Sequence, residues 1–332
     1  MKSIKKACLF IGMVVGAGFA SGREITDYFL VYGSKWTIGI LFSGVLFFIY
    51  STAVTSIINK NKINSFHDYL NLIMDTKFAF FTEWVSGLFF CMMFFAMVSA
   101  AGSAAREIFG INFWLGVFLM IAACAAVLAL GINAIENISV IIVPLLVIGI
   151  ALIGAKSGTV TLNENTKTSV IMSSIIYVSY NTMTAASVIA EENKGTSRYD
   201  GIIMGLLCGV AMTFMGYFIG KTILYFGSVT INSELPFAAA AKKIGGIYNI
   251  AYAMVFITAV YTTAVCDGMA AIRCISDKLR ISSKKSLILL IILAVMFSFV
   301  SFTDFVSKIY PVFGVAGILQ LIYTIKFFIK PE

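Results

Sequence analysis

Charge is scarce in this chain. Only 12% of its 332 residues are Asp, Glu, Lys or Arg, where a soluble domain of this size carries roughly 25%. Histidine is scarcer still: His67 stands alone, which excludes a histidine-rich metal centre and a Ser-His triad. The six cysteines (Cys8, Cys91, Cys124, Cys208, Cys266, Cys274) lie in apolar stretches without the pairwise spacing of a metal site. They read as small packing residues in reduced form, not as a disulfide framework. No G-x-x-x-x-G-K-[ST] segment is present, which argues against ATP-driven pumping. Neither H-E-x-x-H nor G-x-G-D occurs, so the common intramembrane protease signatures are missing. No polar stretch is long enough to make a soluble domain.

What fills the space is hydrocarbon. Hydrophobic residues make up 60% of the chain and the mean hydropathy is +0.96. So much apolar surface has to face lipid, and the lipid bilayer is the first partner to infer. The net charge of +8 suggests nucleic acid until its distribution is read. The basic residues sit between apolar runs, as membrane topology requires, so no nucleic-acid partner is expected.

Runs long enough to cross a bilayer fall near 6–30, 36–58, 80–107, 112–131, 136–155, 168–190, 199–227, 246–275, 285–303 and 306–329. Ten spans put both termini on one side. The lysines and arginines place that side in the cytoplasm. The bias is clearest after the eighth run, with Arg273, Lys278, Arg280, Lys284 and Lys285, and is supported by Lys2, Lys5, Lys6, Lys60, Lys62, Lys77, Lys194, Arg198, Lys326 and Lys330. The expected location is the plasma membrane, as a multi-pass protein with cytoplasmic termini. The segment Lys2–Gly22 imitates a secretory signal peptide, but its glycines make better sense in a retained span. Between runs seven and eight, SELPFAAAAKKIGG (Ser233–Gly246) is too polar to cross and predicts a short helix lying at the outer surface as a lid.

The first run carries four glycines, Gly12, Gly16, Gly18 and Gly22, in GMVVGAGFASG. Each costs a helix roughly 1 kcal/mol against Ala, and an interrupted helix survives in hydrocarbon only where its freed backbone groups meet protein, water or a ligand. The segment reads as an unwound stretch able to bind a solute or an ion, with close helix packing as the alternative. Half a chain later, IIYVSYNTMTAAS sets Tyr177, Ser179, Tyr180, Asn181, Thr182 and Thr184 within eight positions of an apolar run. Such polar groups need partners, and a second break is expected there, with an interhelical polar seam as the alternative. Five spans per half force the second half to enter from the opposite face. The chain therefore reads as one transmembrane transporter domain over 1–332, with inverted repeats near 6–155 and 168–329.

In the eighth run, AVYTTAVCDG holds Thr262, Thr263 and Asp267. Threonine hydroxyls beside freed carbonyls of the first run would make an all-oxygen site fit for Na⁺, and an intramembrane carboxylate such as Asp267 is functional by default, as proton carrier or gate partner. Arg23, Glu24 and Asp27, with Arg106, Glu107 and Asp304, read as a charged cluster at the outer mouth, Arg23 facing Asp304 as a gate. The four-residue spacing of Gly201, Gly205 and Gly209 reads as helix packing.

The segments GMVVGAGFASGREITDYF and SYNTMTAAS together resemble the YkvI-like bacterial membrane proteins, classed with the amino acid permeases of the amino acid–polyamine–organocation superfamily. The resemblance covers nearly the whole chain, with the glycine-rich first run its most specific part. It implies an all-α LeuT-type fold, a 5+5 inverted repeat with helices one and six broken. It further implies substrate contacts from Gly16, Gly18, Phe19, Ser21, Tyr180, Asn181 and Thr182, and a sodium site at Val15, Gly18, Thr262 and Thr263. The expected function is a cation-coupled secondary transporter of a small polar solute such as an amino acid, with Na⁺ or H⁺ as coupling ion and no bound cofactor. A channel or ligand sensor on the same scaffold, and an intramembrane enzyme, are the rival readings. Oligomeric state is not legible.

Overall fold

A backbone in hydrocarbon must satisfy its own polar groups, and the helix does so within one segment. The computed structural model describes residues 2–130, 135–160, 169–192 and 198–330. Lys194 and the 161–168 part of the loop between the expected repeats lie outside them. Among the described residues, helical segments occupy all ten expected spans.

The first span is α1 (Lys2–Val14), α2 (Ala17–Ala20) and α3 (Arg23–Tyr28). There follow α4 (Trp36–Asn61), the short α5 (Phe66–Ile73), α6 (Thr76–Glu107), α7 (Phe113–Leu130) and α8 (Ile135–Gly154). The second half holds α9 (Val170–Glu192), α10 (Arg198–Phe226), the short α11 (Ser228–Ile231) and α12 (Pro236–Ile244), then α13 (Gly246–Leu279) and α14 (Ser283–Phe297). The last span runs from α15 (Phe302–Asp304) through a π turn at Phe305–Ile309 into α16 (Tyr310–Ile329).

Five stretches, Trp36–Asn61, Thr76–Glu107, Gly201–Phe226, Gly246–Leu279 and Phe302–Ile329, are each long and apolar enough to cross a membrane unaided. The other apolar helices are shorter, interrupted or carry more polar groups. This is a multi-pass membrane protein. Large apolar side chains such as Leu41, Val45, Leu119, Val210 and Met254 are left exposed on the outside of the bundle, where lipid takes the place of a protein partner.

Long helices pack in pairs, α4 along α10, α9 along α16 and α6 along α13. The glycines of the seventh span work as the spacing predicts. A Cβ on Gly209 would stand 2.6 Å from the Gly44 carbonyl oxygen, and one on Gly205 would stand 2.7 Å from that of Phe48. The stretch between runs seven and eight does form a short helix: α12 buries Pro236, Phe237, Ala238, Ala240 and Ala241 and leaves Lys242 and Lys243 exposed.

Helix six differs from expectation. α9 runs unbroken from Val170 to Glu192. Its polar side chains turn back onto their own helix: Ser179 Oγ donates to the Ile175 carbonyl at 2.6 Å, Asn181 Nδ2 to Tyr177 at 2.9 Å, Thr182 Oγ1 to Ser179 at 2.9 Å and Thr184 Oγ1 to Asn181 at 2.9 Å. Back-bonding of this kind satisfies a polar side chain without unwinding the backbone. The stretch also contains neither glycine nor proline, so nothing forces a break. Polar density alone was a poor sign of discontinuity.

Candidate functional site

The first span is interrupted twice. α1 ends on the Val15 N–H bond to the Ile11 carbonyl, 2.7 Å. Gly16 is then extended at φ −78° and ψ −168° before the single turn of α2. The second interruption is Gly22, left-handed at φ 79°, a conformation that glycine adopts without the usual Cβ penalty.

The freed backbone groups are taken up by protein. Ala20 O accepts from the Tyr252 hydroxyl at 2.6 Å, and Ser21 O from the Phe237 N–H of α12, also at 2.6 Å. Ser21 Oγ donates to the Gly18 carbonyl at 3.0 Å and accepts from Arg23 N at 3.2 Å. The lid is therefore fastened to the break itself.

Reversal at Gly22 has a consequence that spacing along a helix does not reveal. It turns Glu24 inward, where it is 3% exposed, with its carboxylate folded against Gly18. A Cβ at Gly18 would collide with the Glu24 carboxylate. The demand for glycine at position 18 comes from Glu24 as much as from the backbone.

Around that carboxylate stands a ring of tyrosines. The aromatic rings of Tyr28, Tyr177 and Tyr180 lie 5.6–5.7 Å apart in each pairing, and Tyr180 lies 5.2 Å from Tyr310. Phe89 closes the ring against Tyr180 and Tyr310 at 6.0 and 5.9 Å. All four tyrosines are buried, and they lie within electrostatic reach of Glu24. Yet Glu24 Oε2 and the hydroxyls of Tyr28, Tyr177, Tyr180 and Tyr310 complete no hydrogen bond of good geometry among the described residues, although the Tyr180 hydroxyl approaches both Glu24 and Tyr28. One buried orphan is unusual, because nearly all such groups are paired in folded proteins. Here five such groups lie together beside the interrupted first span. Tyr28 also borders a cleft of about 490 Å³ lined by Asp27, Tyr32, Ser169, Ser173 and Ser307.

The expected substrate residues divide. Gly16, Gly18, Phe19 and Ser21 occupy the buried break. Tyr180 enters the tyrosine ring. Asn181 and Thr182 use their side chains on their own helix, and the Thr182 carbonyl accepts from the Tyr50 hydroxyl at 3.3 Å. Sequence reasoning missed Tyr28 and Tyr310, and it placed Glu24 at the mouth. The signal for Glu24 was its distance of two residues from a glycine that reverses the chain.

The expected sodium ligands are only partly brought together. Thr263 Oγ1 reaches the Gly12 carbonyl at 3.5 Å, and its methyl faces Gly16. Thr262 Oγ1 instead bonds the Thr258 and Ala259 carbonyls of its own helix, each at 3.0 Å. The Gly18 carbonyl is engaged by Ser21, and Val15 continues the bonding pattern of α1. Asp267 on α13 is 3% exposed with Oδ2 unpartnered, and its charge acts on Tyr310. Tyr310 thus lies within electrostatic reach of both Glu24 and Asp267.

Arg23 does not face Asp304. Its guanidinium forks onto Asp27, Nη2 to Oδ1 at 2.8 Å and Nε to Oδ2 at 3.0 Å, and Nη1 donates to the Ser233 carbonyl at 3.3 Å. Asp304 pairs with Lys308 at 2.5 Å and accepts from Ser301 Oγ at 2.8 Å. Both acids are served one turn away on their own segment, which takes less chain ordering than a pair across the mouth. The charged clamp that does form holds the lid to α6. Glu107 accepts from Ser233 Oγ at 2.6 Å and from the Glu234 and Leu235 amides at 3.3 Å. Glu234 accepts from Ser103 at 2.5 Å and pairs with Arg106 at 3.0 Å.

No protein-family profile matches the chain. Against known sequences, it is 24% identical over 288 residues to the "Uncharacterized membrane protein YkvI" of Bacillus subtilis (strain 168), covering 84% of this chain and 82% of that one. The "Uncharacterized protein YyaD" of the same organism is 24% identical over 280 residues, 79% and 78% of the two chains. Among solved structures, MhsT in complex with L-phenylalanine superposes at a TM-score of 0.73 with 13% identity, covering 98% of this chain and 88% of that one. Mhp1, a nucleobase-cation-symport-1 family transporter with bromovinylhydantoin bound, gives 0.63 with 15% identity over 92% and 74%. A manganese transporter of Eremococcus coleocola gives 0.64 with 11% identity over 97% and 78%. The fold is LeuT-type. This chain is thus an all-α LeuT-type membrane protein similar to YkvI, and none of these relatives is named for an enzymatic activity.

Proposed function

We propose that this protein is a cation-coupled secondary transporter that carries a small polar solute, in the first instance an amino acid, across the plasma membrane by alternating access. The observation that carries the reading is the set of five orphaned polar groups beside the interrupted first span. Broken helices of this kind present backbone and side-chain groups to solutes near the middle of the bilayer. The orphaned tyrosine hydroxyls and Glu24 give a solute its bonds, with Gly16, Gly18, Phe19 and Ser21 as the floor. Support also comes from neighbours of the same fold, one holding L-phenylalanine and another belonging to a cation-symport family.

In this reading the path is crossed by side-chain contacts at two levels. The lid and its Glu107 clamp cover one end. Toward the other, Gln320 Nε2 donates to the Tyr50 hydroxyl at 2.9 Å, and Tyr69 bonds Thr324 at 2.6 Å. Solute and coupling ion would shift the balance between states opening at either end, each by no more than its difference in affinity for the two. Na⁺ coupling would draw on Thr262, Thr263 and carbonyls of the Gly12–Gly18 stretch, and H⁺ coupling on Asp267. The termini face the cytoplasm in this reading, so the lid is outside.

Uptake by purified protein in sealed vesicles tests this. Saturable accumulation of an amino acid against its gradient, driven by an imposed Na⁺ or pH gradient, is the expected result. Flux that only runs downhill without saturating would make it a channel. Binding without flux would make it a sensor.

A further inference from the structure

Glu24 is a buried carboxylate without a counter-charge. Among the described residues no cation pairs with it. The charge that does act on it is that of Asp27, of the same sign. The nearest basic group in sequence, Arg23, is already forked onto Asp27. An ionised carboxylate removed from water without a partner is strongly disfavoured, so one positive charge brought to it would be strongly favoured. The walls suit the same charge. A cation against the face of an aromatic ring gains attraction from the ring quadrupole, and the rings of Tyr28, Tyr177, Tyr180 and Tyr310 cluster here, tilted or edge-on to one another. Their unpartnered hydroxyls supply the remaining acceptors and donors.

We infer that the solute carries a protonated amine, and that Glu24 binds this amine within the ring of Tyr28, Tyr177, Tyr180 and Tyr310. This deepens the transport reading above and rests on its placement of the site. It specifies selectivity: an ammonium group is the required handle, and a carboxylate on the solute is not. Amino acids and simple amines qualify, whereas N-acylated and deaminated counterparts do not.

The test is thermal stabilisation of the purified protein by the common amino acids, their decarboxylated amines, their N-acetyl derivatives and their deaminated acids, at constant ionic strength in sodium or choline salts. The expected result is stabilisation confined to the first two groups. In Glu24→Gln, the dissociation constant of the best amine should weaken roughly a hundredfold, as for truncation of one partner of a buried charge pair. Glu24→Asp should lie between. Tyr28→Phe, which keeps the ring and the carboxylate, should weaken it about fivefold to tenfold through one lost hydrogen bond.

Equal stabilisation by N-acetyl or deaminated compounds would overturn the inference, as would an amine group without effect or undiminished affinity in folded Glu24→Gln. Stabilisation by sodium alone that disappears in Glu24→Gln would make Glu24 an ion ligand and overturn it too. Vesicle uptake separates the two readings. Amine binding without accumulation leaves the assignment of Glu24 standing and removes transport. Accumulation of a neutral solute, unaffected by Glu24→Gln, does the reverse.

Discussion

Gly18 and Glu24 constrain each other. The carboxylate lies where a side chain on residue 18 would be, so the two positions cannot be varied independently. Gly18→Leu should abolish uptake, because the new side chain displaces Glu24 and fills the break; its expression should stay near wild type, since the collision is local. Gln at position 24 makes a sharper prediction for stability. Glu24 Oε2 has no partner to lose, and removing an uncompensated buried charge relieves several kcal/mol of desolvation cost in principle. Ligand-free Glu24→Gln should therefore melt several degrees above wild type, at about 2–4 °C per kcal/mol for a chain at least as large as those so calibrated, while losing amine binding. A lower melting temperature in the ligand-free variant would show that Glu24 is satisfied in the native protein.

Among elements, α12 and α9 show what sequence could and could not tell. The short helix α12 was legible, because SELPFAAAAKKIGG is too polar and too rich in small residues to cross. Its attachment was not: the Phe237 amide bonds the Ser21 carbonyl, a contact between segments far apart in sequence. The break in the first span was legible from Gly16 and Gly22, where the backbone leaves the helix. The unbroken course of α9 was not, since polar side chains at 179–184 look alike whether they bond a solute or their own carbonyls three and four residues back. Arg23 and Asp304 were paired by location, but each has a closer partner one turn away. The lid clamp gives an element-scale prediction. Glu107→Ala removes the acceptor of Ser233 Oγ and of the Glu234 and Leu235 amides. At about 1 kcal/mol net per bond, hydrogen exchange over 233–241 should quicken by roughly tenfold or more. Unchanged protection would mean that Glu107 does not hold the lid. The α4–α10 seam should be equally sensitive. Gly209→Leu drives a side chain into the Gly44 carbonyl and should destabilise by about 1–3 kcal/mol or more, seen as a lower melting temperature with uptake kinetics otherwise spared in the protein that folds.

For the whole molecule, the ten-span arrangement followed from apolar run lengths, and its LeuT-type form from the family resemblance carried by the glycine-rich first run. The tyrosine ring emerges only in three dimensions. Tyr28 comes from α3, Tyr177 and Tyr180 from α9, and Tyr310 from the start of α16, just after a π turn. No window of sequence contains them together. The central claim is that solute passes through the interrupted first span, and it is tested most directly by amino acid and amine uptake into vesicles containing wild-type protein or Gly18→Leu, with Na⁺ and pH gradients imposed separately. The account predicts saturable accumulation by wild type under one of the gradients and none by the variant. Accumulation by Gly18→Leu at the wild-type rate would contradict it.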